Sequence, residues 1–140
     1  MQILTTFIQN NPLLSAATLV VLIFIIIVEC IRTKRRVAAL TPTAATQLIN
    51  RQQAVVIDLR SQELFRKGHI IDALCMSARD VQQPSKKIEK FKTKPIIIVC
   101  ALGVEAQKTA AILKKQGYQA QALAGGMRAW LEADMPVVKN

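Results

Sequence analysis

The sequence is poor in aromatic residues, histidine and cysteine, and each shortage excludes a class of protein. Aromatic residues make up 4% of the 140 residues. The stacking platform of a nucleic-acid-binding protein is therefore not expected, despite a net charge of +10. Three cysteines, an odd number without paired spacing, do not form a disulfide framework. Because His69 is the single histidine, the common zinc patterns are missing. We expect neither a metal nor a cofactor.

Charged residues are missing from one long segment near the N-terminus. Residues 13–31 read LLSAATLVVLIFIIIVECI, in which Glu29 is the only charged residue. A helix of this length spans roughly 28 Å, close to the thickness of the hydrocarbon core of a bilayer. A cleaved signal peptide would need a basic region before it and a shorter apolar core, and the core helix of a soluble protein would carry a polar face. We therefore predict a transmembrane helix over residues 13–31, in contact with the lipid bilayer.

The positive charges around this segment predict its orientation. Residues 1–12 carry no charged side chain, whereas four of the five residues 32–36 are basic. Because lysine and arginine stay on the cytoplasmic side, the N-terminus is predicted to face outward. We expect a short extracytoplasmic N-terminus at residues 1–12, a basic juxtamembrane linker at residues 32–40, and a cytoplasmic domain at residues 41–140.

The remaining residues alternate short apolar segments with helical patterns. Strands are predicted at residues 54–58, 73–76, 96–99 and 120–123, and helices at residues 42–52, 61–67, 84–91, 106–116 and 127–133. Thr41 followed by Pro42 is typical of a helix start, and Gly68 and Gly117 are typical of helix ends. This alternation predicts an α/β domain with a doubly wound, mostly parallel sheet flanked by helices.

One cysteine lies where a sheet of this kind binds ligands. Residues 96–99 form a β-branched run typical of a buried central strand, and Cys100 follows directly. A loop containing Gly103 comes next, and a helical pattern resumes by Ala106. Backbone N–H groups and the helix dipole converge at such a position, which suits anion chemistry. Most lone cysteines only fill space, so these residues leave both interpretations open.

Three separated segments resemble the signatures of rhodanese-like domains. Residues 58–70, DLRSQELFRKGHI, resemble the first signature, an Asp-x-Arg run that closes on Gly-His-Ile. Residues 99–103, VCALG, resemble the active-site strand and loop. Residues 125–130, GGMRAW, followed by MPV at 135–137, resemble the C-terminal signature. With its anchor, the chain resembles the membrane-tethered, single-domain rhodanese-like proteins of Gram-negative bacteria, which implies an inner-membrane location with the domain in the cytoplasm.

The resemblance implies a sulfurtransferase or sulfur carrier that uses a cysteine persulfide. Cys100 matches the nucleophile, which takes sulfur from a donor such as thiosulfate and passes it to cyanide or a thiol. The expected partners are therefore small sulfur donors and acceptors, or a protein persulfide. The loop that would bind the anionic donor is matched by six consecutive residues: Ala101, Leu102, Gly103, Val104, Glu105 and Ala106.

Four further residues have expected places in or near this site. Asp58 and Arg60 are expected to orient loops at its rim, and His69 to be a hydrogen-bonded structural residue at a turn. Cys75 is expected to be buried filler, or to resolve a Cys100 persulfide if its side chain reaches the ligand crevice.

The active-site loop departs from the rhodanese pattern at two positions. Many single-domain rhodaneses carry arginine at the sixth loop position and serine or threonine next, where this chain has Glu105 and Ala106. At an exposed separation of about 5 Å, a carboxylate repels an anionic donor by about 1 kcal/mol or less. Glu105 therefore argues against thiosulfate as the donor and leaves cationic or neutral acceptors and protein persulfide donors open, unless it only complements the helix dipole. The alternative function is a catalytically weak or inactive module that docks membrane-protein partners. The loop lacks the arginine that ends related phosphatase loops, so a phosphatase is a distant third.

Overall fold

Helix α1, Pro12–Arg35, contains the apolar segment predicted to cross the membrane. The structure is a computed structural model that describes residues 9–35, 38–83 and 85–140, and only the backbone of residues 32–35. Within α1, Pro12–Ile31 is long and apolar enough to cross a bilayer. A segment of this length and composition fits either a membrane span or an N-terminal signal sequence. Its orientation stays a prediction, and residues 1–8 and 36–37 lie outside the described residues.

A second unit, residues 36–140, contains a five-stranded sheet, in which the strands numbered in chain order lie in the order 1-5-4-2-3. The strands are β1 (Ala39–Leu40), β2 (Val55–Asp58), β3 (Leu74–Cys75), β4 (Ile96–Val99) and β5 (Ala120–Leu123). Every neighbouring pair is parallel, so the carboxyl ends of the strands lie along one edge of the sheet. The predicted parallel α/β fold is confirmed.

Helices pack on both faces of this sheet. They are α2 (Pro42–Gln52), α3 (Gln62–Lys67), α4 (Ala78–Gln82), α5 (Lys86–Glu89), α6 (Val104–Lys115) and α7 (Gly126–Glu132). Alternate residues of a strand point to opposite faces, so β4 contributes to two separate cores. One core contains Ile98 of β4 and Leu113 of α6, and the other contains Ile97 of β4 and Trp130 of α7. The domain is therefore doubly wound, as predicted.

Two short elements were not predicted from the sequence. Strand β1 lies within residues 32–40, the predicted linker, and pairs with β5 through Ala39 and Ala122. Helix α4 has five residues, too few to show a helical period. A side-chain cap starts it, since the Ser77 hydroxyl accepts a hydrogen bond from the Asp80 N–H at 3.1 Å. The start of the domain at residue 41 stays a prediction.

The bounds of several predicted helices differ in the structure, and those of two differ by two residues or more. Helix α6 begins at Val104, two residues before the predicted start, because Gly103 already adopts the left-handed conformation of a helix cap. In the predicted helix at residues 84–91, only Lys86–Glu89 is helical. Residue 84 lies outside the described residues.

Candidate active site

Cys100 lies directly after β4, at the carboxyl edge of the sheet, and is 6% exposed. Its Sγ accepts hydrogen bonds from the backbone N–H groups of Gly103 at 3.0 Å and of Ala106 at 3.4 Å. The amino end of α6 also directs the positive end of its dipole toward this position. Together these groups stabilise negative charge on the sulfur, the requirement for a thiolate nucleophile.

Gly103 makes the turn that brings the loop back onto the sulfur. Its φ angle is +94°, a conformation that L side chains rarely adopt. A Cβ atom at this position would also approach the Gly125 nitrogen to 3.1 Å and the Leu123 oxygen to 3.2 Å. Glycine therefore serves two purposes here, because it allows the turn and the close approach of the turn to the start of α7.

The start of α7 supports the loop from behind. The N–H of Met127 donates to the Cys100 carbonyl at 2.9 Å, and that of Arg128 donates to the Ala101 carbonyl at 3.2 Å. Gly126 lies against the same two carbonyl oxygens. In the sequence the glycine pair is part of a family signature, and this support was not predicted from it. The available signal was the position of the pair, one residue after the predicted strand at residues 120–123. That this strand lies beside the strand before Cys100 is known only from the sheet order.

The outer side of the loop is apolar, with one negative charge. Leu102 is 61% exposed and Val104 is 65% exposed. Glu105 is also exposed and lies in the first turn of α6. In the described parts of the chain, its carboxylate has no ion-pair partner. Of the six predicted loop residues, the structure thus turns the backbone N–H groups of Gly103 and Ala106 inward and exposes the side chains of Leu102, Val104 and Glu105.

Asp58 and Arg60 form a buried ion pair at the carboxyl end of β2, next to the strand that leads to Cys100. Arg60 Nη2 lies 2.7 Å from Asp58 Oδ2, and their side chains are 11% and 1% exposed. The same nitrogen donates to the Gly68 carbonyl at 2.7 Å. The Asp58 carboxylate also accepts from the Arg60 backbone N–H at 3.0 Å. These contacts tie the start of the 59–68 segment to its end. The expected role of the two residues at the rim of the Cys100 site stays a prediction.

The His69 side chain contacts Phe65, four residues earlier in the chain. Its Nδ1 lies 2.8 Å from the Phe65 carbonyl oxygen, and its ring stacks on the Phe65 ring with 3.8 Å between centroids. Because a carbonyl oxygen only accepts hydrogen bonds, Nδ1 carries the proton. The backbone of His69 pairs with Val138 near the C-terminus. This is the geometry of a structural residue at a turn.

Cys75 lines a cavity of about 740 Å³ beside the edge strand β3. Its thiol donates weakly to the Arg60 carbonyl, at an Sγ–oxygen distance of 3.6 Å. Burial, and to a lesser extent the Asp58 carboxylate, raise the pKa of Cys75, while Arg60 opposes them. The residues around the cavity are Leu59, Arg60, Ser61, Gln62, Leu74, Cys75, Met76, Ser77, Asp80, Lys87, Lys90 and Phe91. Cys100 is not among them, so the structure does not bring the two cysteines together in this cavity.

Comparison with known proteins assigns the domain to a family. A model of the rhodanese-like domain family matches residues 41–133. The chain is 33% identical to the protein YibN of Escherichia coli K12 over 142 aligned positions, which cover 100% of this chain and 99% of YibN. It is 32% identical over 87 residues to the thiosulfate sulfurtransferase GlpE of Coxiella burnetii strain RSA 331, a match that covers 61% of this chain and 79% of GlpE.

A solved structure shows the same fold at low sequence identity. The rhodanese-related protein of Thermoplasma volcanium superposes with a TM-score of 0.65 at 20% identity, over 73% of this chain and 98% of that protein. At this identity the likeness concerns the fold alone, and it agrees with the order of strands and helices described above. The resemblance found in the three sequence signatures is thus confirmed, and the chain belongs to the rhodanese-like domain family.

Proposed function

We propose that the chain is a membrane-anchored sulfurtransferase that carries sulfane sulfur as a persulfide on Cys100. The observation that supports this most is the pair of backbone N–H groups, from Gly103 and Ala106, that donate to the Cys100 sulfur. The name of the relative GlpE, a thiosulfate sulfurtransferase, agrees with a sulfurtransferase-like role.

The proposed chemistry has two displacement steps. The Cys100 thiolate attacks the outer sulfur of thiosulfate, the bond between the two donor sulfurs breaks, and sulfite leaves with the electron pair. An acceptor thiolate then attacks the terminal sulfur of the Cys100 persulfide. The sulfur–sulfur bond to Cys100 breaks, Sγ regains its electron pair, and the acceptor leaves as a persulfide. The two N–H groups stabilise the charge on Sγ before the first step and after the second.

This activity is tested with the full chain in detergent. The wild type is expected to release sulfite from thiosulfate, or glutathione from glutathione persulfide, while the supplied thiol acceptor becomes a persulfide. Cys100→Ser should abolish release from both donors, since it removes the nucleophile. Cys75→Ser is the matched control and should retain activity, because Cys100 is not among the residues of the cavity that Cys75 lines. Equal activity in Cys100→Ser and the wild type would overturn the proposal.

The proposal places the domain in the cytoplasm, held to the inner membrane by residues 13–31. The apolar length of Pro12–Ile31 and the basic residues that follow support this orientation. A protease added to inverted vesicles should then digest the domain, and the same protease added to right-side-out vesicles should leave it intact. Digestion in right-side-out vesicles would contradict the orientation.

A second candidate function, the docking of a membrane-protein partner, is favoured by a groove along β3. The cavity of about 740 Å³ and a neighbouring one of about 420 Å³ share Leu74, Lys90 and Phe91. Strand β3 is at the end of the described sheet, so one of its edges has no strand beside it. Lys87 and Lys90 place positive charge at the groove, which suits an acidic cytoplasmic segment of a partner.

Cross-linking in native membranes distinguishes the two functions. If the groove docks a partner, cross-linking should give a reproducible partner that is lost in the double variant Lys87→Glu/Lys90→Glu. The double variant Lys114→Glu/Lys115→Glu makes the same charge change at the end of α6 and should keep that partner. A partner that is lost only in Cys100→Ser would indicate sulfur chemistry instead. Absence of any reproducible partner would also contradict docking.

A further inference from the structure

We propose that the sulfur acceptor of the Cys100 site is a cysteine in a peptide or protein segment with apolar and basic neighbours, and that Glu105 selects it. This inference rests on the proposed function and specifies its acceptor. It concerns the exposed side chains of the active-site loop, Leu102, Val104 and Glu105. The inward-facing N–H groups of the same loop bind the Cys100 sulfur.

The apolar part of the loop favours a large acceptor. Leu102 and Val104 are 61% and 65% exposed, on either side of Gly103, whose N–H holds the sulfur. A small thiol such as 2-mercaptoethanol has too little apolar surface to cover these side chains. A peptide that presents its cysteine to Cys100 would bury part of both, at about 25 cal/mol for each Å² of apolar surface.

The charged part of the loop favours basic neighbours. Ala106 N lies 3.4 Å from the Cys100 sulfur, and Glu105 directly precedes it, so the Cα atom of Glu105 lies within about 6 Å of that sulfur. The carboxylate is exposed and has no ion-pair partner in the described ranges. Its charge is therefore available to an arginine or lysine beside the acceptor cysteine.

Nearby positive charges do not cancel this preference. The backbone N–H of Arg128 donates to the active-site loop, at the Ala101 carbonyl, but the Arg128 side chain pairs with Glu132 at 2.9 Å. Lys108 is exposed on α6, almost one turn beyond Glu105 and farther from the sulfur. The wider excess of basic residues attracts anions at long range, but salt screens it beyond about 8 Å at physiological ionic strength.

Peptide acceptors of opposite charge test the inference. The full chain with Cys30→Ser/Cys75→Ser is loaded with sulfur from glutathione persulfide and mixed with one of two synthetic peptides of equal length. In one peptide a cysteine is flanked by leucine and arginine, and in the other by leucine and glutamate. Transfer to the basic peptide is expected to be about five times faster at physiological ionic strength, where charges farther than about 8 Å are screened, and the difference should shrink as more salt is added.

Variants assign this preference to particular residues. Glu105→Arg should reverse the order of the two peptides. Glu89→Arg makes the same charge change on α5 and should keep the wild-type ratio of the two peptide transfer rates. Glu89 lines a cavity with Gln116 and Tyr118, which lie at the other end of α6 from Glu105. Leu102→Ser should lower the ratio of peptide transfer to 2-mercaptoethanol transfer, because it removes apolar contact surface.

The outcomes separate this inference from the proposed function. Transfer to 2-mercaptoethanol with equal rates for both peptides would overturn the inference and keep the function. A charge preference that is unchanged in Glu105→Arg would overturn the role of Glu105 as the selecting residue. Failure of the loaded chain to transfer sulfur to any of the three thiols would overturn both proposals.

Discussion

The backbone of Gly126 lies directly against the carbonyl oxygen of Cys100, so that a Cβ atom at residue 126 would overlap that oxygen. The same Cβ would lie 2.7 Å from the Ala101 carbonyl oxygen. Both neighbours are backbone atoms, which cannot move aside as a flexible side chain can. The position of the active-site loop therefore depends on the absence of a side chain at the start of α7.

Replacement of Gly126 by alanine should displace the Cys100 loop. The variant must move two carbonyl groups and hold a non-glycine residue at φ +60°, so we expect a loss of roughly 2–4 kcal/mol of unfolding free energy. Thermal unfolding of the full chain in detergent measures it. Gly68→Ala is the control, since its Cβ would meet Val137 Cγ2 at an ordinary 3.7 Å. Equal stability of the two variants would contradict this account of the loop.

Removal of the Arg60 side chain should strongly destabilise the domain. In Arg60→Ala the Asp58 carboxylate, 1% exposed, loses its guanidinium partner, and the Gly68 carbonyl loses a donor. The expected cost is about 3 kcal/mol, because an unpaired charge stays buried. Lys67→Ala provides the comparison, since it breaks an exposed pair with Glu63 and should change stability little. A small effect of Arg60→Ala on the unfolding midpoint would show that the buried pair is not needed.

The reactivity of Cys75 should depend on pH differently in the folded and unfolded chain. Burial and the Asp58 carboxylate raise the pKa of Cys75 in the folded state, so its thiolate forms at higher pH than in an unfolded chain. Alkylation by iodoacetamide, followed at the Cys75 peptide by mass spectrometry, should therefore reach half its maximal rate at higher pH in the native chain than in urea.

The sign for stability follows from the same shift. The contribution of the protonated Cys75 thiol to folding is fully present below the pKa of the unfolded chain and is lost as the pH rises through the higher folded pKa. Cys75→Ser should accordingly reduce the loss of stability at alkaline pH. Coincident alkylation midpoints in the folded and unfolded chain would contradict the shift.

The parts of the fold that follow from local patterns were predicted from the sequence. The β-branched run Ile96–Val99 forms the central strand β4, because only a strand buried on both faces tolerates such a run. Thr41 and Pro42 start α2 as predicted, with the Thr41 hydroxyl accepting from the Ala44 N–H at 3.2 Å. Gly68 follows Lys67, the last residue of α3, as its helix-end pattern predicts.

Other features depend on contacts between distant segments. Strand β1 has two residues and is defined by its pairing with β5, so no local sequence pattern predicts it. The support of the Cys100 loop by Gly126 arises because β4 and β5 are neighbours in the sheet, which the sequence order alone does not give. The position of Cys75 in a cavity that does not include Cys100 likewise follows from β3 lying at the end of the sheet, beyond β2.

The most direct test of the account is the mass of the Cys100 peptide after exposure to a sulfur donor. The full chain in detergent is treated with thiosulfate or glutathione persulfide, alkylated and digested, alongside a rhodanese of known activity. If Cys100 carries sulfane sulfur, its peptide should gain about 32 Da, the mass of one sulfur atom. The Cys75 peptide should show no such gain. Absence of the gain on Cys100 while the control rhodanese acquires it would contradict the account.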